Sequence, residues 1–123
     1  MKRAHKKLDV WQESVHLAAY IYKLTDGFPK TEIYGLTSQM KRAVVSISSN
    51  IAEGAARSSY REFAQFLSIA GGSLSELDTQ LEIAYQLNFI TKEQNDEAAV
   101  KIESISGKLA GLIKHVRKKF NDK

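Results

Sequence analysis

Apolar side chains recur every three or four residues along most of the chain, which is the period of an amphipathic α-helix. One clear stripe lies in residues 36–57, and a longer one runs through residues 63–84. The stripe positions are Leu36, Met40, Val44, Ile47 and Ile51, then Phe63, Leu67, Ala70, Leu74, Leu77, Leu81 and Ala84. We expect these side chains to form the core faces of two packed helices.

The same period predicts one more helix before these two and another after them. The first begins at Asp9, an acceptable N-cap residue, and ends at residues 26–29 (DGFP), where glycine permits a left-handed cap and proline cannot continue a helix. The last helix opens with a capping box at residues 91–94 (TKEQ). The core positions of the first helix are Trp11, Val15, Leu17, Ala18, Ile21, Tyr22, Leu24 and Phe28. Those of the last helix are Ala98, Ile102, Ile105, Leu109, Leu112, Val116 and Phe120.

Short connections separate the four predicted helices. Thr37 or Ser38 caps the second helix, after a linker with room for a short helical turn, and the third helix runs from a capping box at residues 59–62 (SYRE) to Asn88. Because no strand-like alternation and no internal repeat occur, we predict an all-α fold, an antiparallel up-down-up-down four-helix bundle. This single domain spans residues 8–120, and residues 1–7 form a mobile basic arm.

The composition is that of an ordinary soluble domain. Hydrophobic residues make up 43% and charged residues 26% of the 123 positions. No apolar run approaches the roughly 20 residues of a membrane span, and the basic start leads into an amphipathic helix without a signal-peptide apolar region. The absence of cysteine excludes disulfides, thiolate metal sites and cysteine nucleophiles. We therefore expect a cytoplasmic protein without membrane contact.

Positive charge concentrates at one end of the predicted bundle. The net charge is +4, and the N-terminus, the corner between the second and third helices and the C-terminus share one pole in this topology. The candidate phosphate-contacting residues of this basic pole are Lys2, Arg3, Lys6, Lys7, Arg57, Arg61, Lys114, Arg117, Lys118 and Lys119. The pole is either a phosphate-binding surface or a set of solvated charges that keeps the protein soluble.

A polar stripe flanks the core face of the second helix, and a polar triplet interrupts an apolar stripe of the third. We expect Arg42 and Glu76 to form a partly buried ion pair there, since antiparallel pairing about the corner places them at the same height. The full structural polar network comprises Arg42, Ser46, Asn50, Glu53, Ser73 and Glu76. A network that fixes helix register is favoured over a ligand-binding stripe, which stays open as the alternative.

Small residues mark two places where another backbone could approach closely. On the second helix, Val45, Ser48, Ala52 and Ala55 form a face without charge, which suits subunit contacts in a homo-oligomer. In the third helix, the glycine pair at residues 71–72 costs about 1 kcal/mol per glycine relative to alanine, so we expect close approach or a bend there.

Signals for catalysis are absent from the sequence. Glu13 and His16 have the Glu-x-x-His spacing of di-iron bundles, but such sites need a second copy of the motif and further glutamates. We interpret the pair as a surface histidine near a surface acid. Since no His-x-x-x-His motif, phosphate loop or nucleophile elbow occurs either, we expect no enzyme activity, no metal and no cofactor.

The signature at residues 39–54 (QMKRAVVSISSNIAEG), with residues 62–63 (EF) and 69–77 (IAGGSLSEL), resembles a known family. It is similar to the four-helix bundle proteins encoded in intervening sequences of bacterial 23S ribosomal RNA genes, over nearly the whole chain from residues 8–11 (LDVW) onward. The resemblance implies a small bacterial helical protein that forms a ring-shaped homopentamer. It also implies similarity to the accessory variability determinant of diversity-generating retroelements, which is thought to bind nucleic acid.

These observations lead to two functional hypotheses. The first is a non-enzymatic oligomer that binds RNA or DNA through the basic pole, with a steep dependence on salt. The alternative is a protein-interaction scaffold ring without nucleic-acid binding, whose contacts tolerate salt.

Overall fold

The chain folds into packed α-helices in the computed structural model, which describes residues 4–121. The helices are α1 (Asp9–Thr25), α2 (Leu36–Ala55), α3 (Tyr60–Gln86) and α4 (Lys92–Asn121). Single turns of 3₁₀ helix precede α1 and α2, at Ala4–Lys7 and Lys30–Glu32. No β-strand occurs in the part of the chain that the structure describes. The prediction of an all-α four-helix bundle, and of a helical turn in the first linker, is confirmed.

Each helix packs on two neighbours, so that the four helices close around one core: α2 contacts α1 and α3, and α4 contacts α3 and α1. Between α1 and α4, the Tyr20 hydroxyl donates a hydrogen bond to the Gln94 carbonyl oxygen at 3.2 Å. Earlier in α1, the Glu13 carboxylate accepts one from the Ser104 hydroxyl at 2.6 Å. Because the earlier residue of α1 contacts the later residue of α4, these two helices are antiparallel.

The core consists of the apolar stripes, as predicted for α2, α3 and, apart from Phe120, α4. Met40, Ile47 and Leu77 are fully buried. In α1 the prediction was too wide, since Val15 and Tyr22 are 38% and 44% exposed. A helix packed against two neighbours buries one stripe, and these two side chains lie at its margin. The buried positions of α1 are Val10, Ser14, Leu17, Ile21, Leu24 and Thr25.

The predicted capping box at α4 is complete, whereas at α3 only the serine half is formed, because the Glu62 carboxylate accepts from the Ser59 hydroxyl at 3.2 Å instead of from its backbone N–H. At α4, the Thr91 hydroxyl oxygen accepts from the Gln94 backbone N–H at 3.1 Å, and the Gln94 side-chain oxygen accepts from the Thr91 N–H at 2.8 Å. At α3, the Ser59 hydroxyl oxygen accepts from the Glu62 N–H at 3.2 Å. These bonds satisfy backbone donors that the first helical turn leaves unpaired.

Two other helix starts differ from the predicted ones. Asp9 is the first residue of α1, and Leu8 occupies the N-cap position without a side-chain hydrogen bond. At α2, the cap comes from the preceding 3₁₀ turn, where the Glu32 carboxylate accepts from the Leu36 N–H at 3.1 Å. Residues 37–38 therefore do not cap α2, because the helix begins at Leu36 and both residues lie inside it.

A left-handed residue ends α3 and not α1. Among the described residues, Asn88 has a positive φ of 62°, whereas no glycine does, so Gly27 does not form the predicted left-handed cap. The Phe89 N–H donates to the Ala84 carbonyl oxygen at 2.9 Å, and the Asn88 N–H donates to that of Tyr85 at 3.0 Å. This pair of bonds is a Schellman motif, which closes the helix end that the sequence predicted at Asn88.

The closest helix approach at a glycine occurs at Gly54, near the corner between α2 and α3. A Cβ atom placed there would lie 2.9 Å from Phe63 Cδ1 and 2.9 Å from Phe66 Cβ. By contrast, a Cβ on Gly71 would meet only Leu109 Cδ2 at 3.7 Å, and one on Gly72 would meet nothing within 4 Å. The close approach expected at residues 71–72 is therefore not formed within this chain.

Candidate nucleic-acid interface

The described cations of the basic pole are all exposed and lie on three segments of the chain. Two are in the N-terminal 3₁₀ turn, two flank the α2–α3 corner, and four are in the last turns of α4. In chain order these residues are Lys6, Lys7, Arg57, Arg61, Lys114, Arg117, Lys118 and Lys119. The remaining two candidates, Lys2 and Arg3, lie outside the described residues.

The N-terminal turn is attached to the bundle by side chains of α1. The Gln12 amide donates a hydrogen bond to the Lys6 carbonyl oxygen at 2.8 Å. The His5 and Trp11 rings meet edge to face, with centroids 4.8 Å apart. Residues 4–7 thus have regular structure and defined contacts, which differs from the expectation of an arm without them. The charges of Lys6 and Lys7 are held near the start of α1.

The charge of Arg57 is partly neutralised by Glu53, which lies in the last turn of α2. Its guanidinium donates to the Glu53 carboxylate at 2.7 Å, and both side chains are substantially exposed. The same guanidinium lies 4.8 Å from the centroid of the Phe66 ring. Glu53, predicted as a member of the polar network, therefore acts as the partner of a pole residue. An exposed pair of this kind contributes about 0–1 kcal/mol to stability.

Arg61 and Arg117 line a groove between the first half of α3 and the end of α4. This cavity of about 780 Å³ has a mixed lining of cationic, amide, hydroxyl and apolar side chains. Its residues are Arg61, Ala64, Gln65, Ser68, Ile69, Arg117 and Phe120. The Arg61 guanidinium lies 4.7 Å from the Phe120 ring centroid. In the described part of the chain, neither arginine forms a salt bridge with an acid.

Half of the predicted polar network joins α2 to α3. The Ser73 hydroxyl donates to the Ser46 hydroxyl oxygen at 2.9 Å. The Asn50 amide donates to the same oxygen at 2.9 Å and to the Ser46 carbonyl oxygen at 2.8 Å. All three side chains are half-buried. This cluster links the two helices at one height.

The predicted ion pair between Arg42 and Glu76 is absent. Both residues are exposed, and no salt bridge within 4.0 Å joins them among the described residues. The contact between Ser46 and Ser73 shows that the predicted height was right, so the error lies in helix rotation. Gln80, one turn further along α3, is the buried polar residue instead. It is 6% exposed, and its side-chain oxygen has no hydrogen-bond partner in the described part of the chain.

An ionic cluster between α1 and α4 was not predicted. The Glu13 carboxylate forms an ion pair with the Lys108 ammonium and accepts the Ser104 hydrogen bond. These two donors, Lys108 foremost, lower the pKa of Glu13, and the carboxylate in turn raises the pKa of Lys108. The antiparallel register of α1 and α4 was the signal that could have located this pair.

No metal site accompanies this cluster. His16 is exposed, and within residues 4–121 no group of three or more His, Cys, Asp or Glu side chains is arranged to hold a metal ion. As for membranes, none of the described helices combines the length and apolar character that a membrane crossing requires.

A second groove lies between α1, the Lys30–Glu32 turn and α2. Its volume is about 650 Å³, and its lining includes Tyr22, Ile33, Lys41 and Val45. Tyr22, Ile33 and Val45 are 44%, 52% and 41% exposed. The Lys41 ammonium lies 4.8 Å from the Tyr22 ring centroid. The lining also includes Asp26, Lys30 and Arg42, so the groove combines apolar and charged side chains away from the basic pole.

Comparisons with known proteins show similarity to a protein family and to solved structures. The family model described as 23S rRNA-intervening sequence protein matches residues 6–111. The chain is also similar to the crystal structure of a protein with unknown function from the S23 ribosomal protein family of Bacteroides thetaiotaomicron, with a TM-score of 0.77 and 27% identity. That alignment covers 85% of this chain and 98% of the other. A comparison with curated proteins gives no significant match.

Proposed function

Because the chain belongs to the family of 23S rRNA-intervening sequence proteins, we propose that it is a non-enzymatic, cytoplasmic protein that binds RNA or DNA through the basic pole. The observation that carries this proposal is the gathering of exposed cations from three separate segments at one end of the bundle. Only Arg57 among them pairs with an acid within residues 4–121. Unpaired, exposed lysines and arginines are the groups that displace counterions from nucleic-acid phosphates.

The proposal includes assembly into a homo-oligomer, for which the resemblance favours a ring-shaped homopentamer related to the accessory variability determinant. Subunits that pack side by side around an axis parallel to their helices would bring the basic poles together on one face. The uncharged α2 face of Val45, Ser48, Ala52 and Ala55 is the proposed contact, and Val45 is 41% exposed. Light scattering that gives a monomer of 13.8 kDa at micromolar concentration would refute the assembly.

Salt-dependent binding tests the proposal. We expect structured RNA or duplex DNA to bind at about 50 mM salt and to dissociate steeply as salt rises, with a log–log slope of about −0.7 to −0.9 per phosphate contact. Charge reversal at Lys114 and Lys118 should lower both affinity and slope. Lys23→Glu is the matched control, because Lys23 is exposed in the last turn of α1, at the opposite pole. No binding at about 50 mM salt, or equal losses in the control, would reject the proposal.

The groove between α1 and α2 favours the second candidate function, a protein-interaction scaffold. Its exposed apolar side chains would contribute binding energy that salt does not screen. In that case a polypeptide partner should bind equally well at about 50 and 500 mM salt. Ile33→Asp should abolish this binding while the pole variants leave it unchanged. A capture experiment with and without nuclease separates the two functions, because only scaffold binding survives nuclease.

A further inference from the structure

The groove between α3 and α4 combines features that a duplex would not use. Simple phosphate attraction needs only exposed cations, which Lys114, Lys118 and Lys119 already supply. Yet the groove adds an aromatic ring from Phe120 and an apolar side chain from Ile69. Ile69 is 52% exposed, so it contributes little to the core and much to the surface of the groove.

Arg61 is oriented by the Phe120 ring. At 4.7 Å from the ring centroid, the guanidinium is within the range of a cation–π contact. Such stacking uses the face of the guanidinium and leaves its in-plane N–H donors free for a phosphate. Arg117 precedes Phe120 by three residues on α4, so both side chains lie on the same helix face. Two arginines that pair with no acid within residues 4–121 therefore lie beside one partly exposed aromatic ring.

We propose that this groove binds single-stranded nucleic acid, with phosphates at Arg61 and Arg117 and an unstacked base against Ile69 and the face of Phe120 that Arg61 does not cover. The inference rests on the proposed function and names its substrate class. In a duplex the faces of the bases are covered by their neighbours, whereas a single strand can place a base on a protein ring. Grooves that hold single strands combine cations along the backbone with aromatic side chains under the bases. Gln65 and Ser68 add polar groups that tolerate any base edge.

The test compares an oligothymidine of about 12 nucleotides with a duplex of the same length by fluorescence anisotropy. We expect Phe120→Leu to weaken single-strand binding by about fivefold to a hundredfold, the range for loss of one base–aromatic stack. Duplex binding should change by less than about twofold, because the variant removes no charge. Tyr34→Leu is the matched control, since Tyr34 is 97% exposed near the start of α2, at the opposite pole.

A second variant keeps the test valid if Phe120→Leu fails to fold. Arg61→Lys retains the charge but not the planar stacked guanidinium, so it should also weaken single-strand binding selectively. Equal losses on both nucleic acids, or unchanged single-strand binding in a folded variant, would overturn the inference while leaving the proposed function intact. If neither nucleic acid binds wild-type protein at about 50 mM salt, the proposed function itself is rejected, and the inference with it.

Discussion

Replacing glycine by alanine should have opposite effects at two positions of the bundle, Gly54 and Gly72. Gly72 lies inside α3, and a methyl group added there would have no neighbouring atom within 4 Å. Alanine at this position should raise the free energy of unfolding by about 1 kcal/mol, the difference in helix propensity. Gly54→Ala gains a similar free energy from helix propensity, but the methyl group that it adds would collide with two side chains of α3.

The size of the collision follows from the distances. The added Cβ would lie 2.9 Å from Phe66 Cβ and 3.2 Å from the Phe63 carbonyl oxygen. Neither atom can move without a shift of the α3 backbone, although Phe63 Cδ1, also at 2.9 Å, can rotate away. Overpacking of this kind costs about 1–3 kcal/mol. Since both variants gain propensity, the difference between their unfolding free energies measures this cost.

Urea denaturation of the two variants and the wild-type protein provides the measurement, with equal m-values as the check that the same surface is exposed on unfolding. We expect Gly54→Ala to be less stable than Gly72→Ala by about 1–3 kcal/mol. A Gly54→Ala protein as stable as Gly72→Ala would show that α2 and α3 are not in close contact at this corner, and the reasoning would fail.

Three further predictions concern stability. Gln80→Met should raise the free energy of unfolding by about 1–3 kcal/mol in thermal or urea melts, because it removes a buried oxygen that has no partner within residues 4–121. A lower free energy of unfolding in the variant would show that this amide is paired in solution. Asn88→Ala should lower the free energy of unfolding by about 1 kcal/mol, because alanine tolerates the positive φ less well than asparagine. Asn88→Gly should not lower the free energy of unfolding, because glycine adopts a positive φ readily. The pKa of Glu13 is lower in the folded protein than its ordinary value of 4.5. Its stabilising contribution to the folded state is therefore present above pH 4.5 and is lost as the pH falls through the lowered pKa. Glu13→Gln should remove this part of the acid dependence in melts recorded from pH 7 downward, and an unchanged profile would refute the pair with Lys108.

Some features encoded within one helix could be predicted from the sequence, whereas the caps of α1 and the start of α2 could not, and neither could features that depend on how helices rotate against each other. The capping box at residues 91–94 is local, so its residue types suffice. The height at which Ser46 meets Ser73 follows from antiparallel pairing about a short corner. Rotation shifts a side chain from the interface to solvent without changing its height, which is why Arg42 and Glu76 are exposed.

The candidate site divides in the same way. The cations of the basic pole could be predicted, because chain topology alone brings their segments to one end. Phe120 was predicted only as a core residue, and its place beneath the Arg61 guanidinium depends on how α3 and α4 close against each other. The ion pair of Glu13 with Lys108 likewise needed the register of two helices far apart in the chain.

The contact between His5 and Trp11 allows tryptophan fluorescence to report on the N-terminal turn at residues 4–7. Trp11 is the single tryptophan of the chain, so all indole fluorescence originates beside residues 4–7. A nucleic acid that engages Lys6 or Lys7 would disturb the ring contact and change the emission without any attached dye. Occupancy at this part of the basic pole can therefore be followed in unmodified protein, separately from occupancy of the groove between α3 and α4.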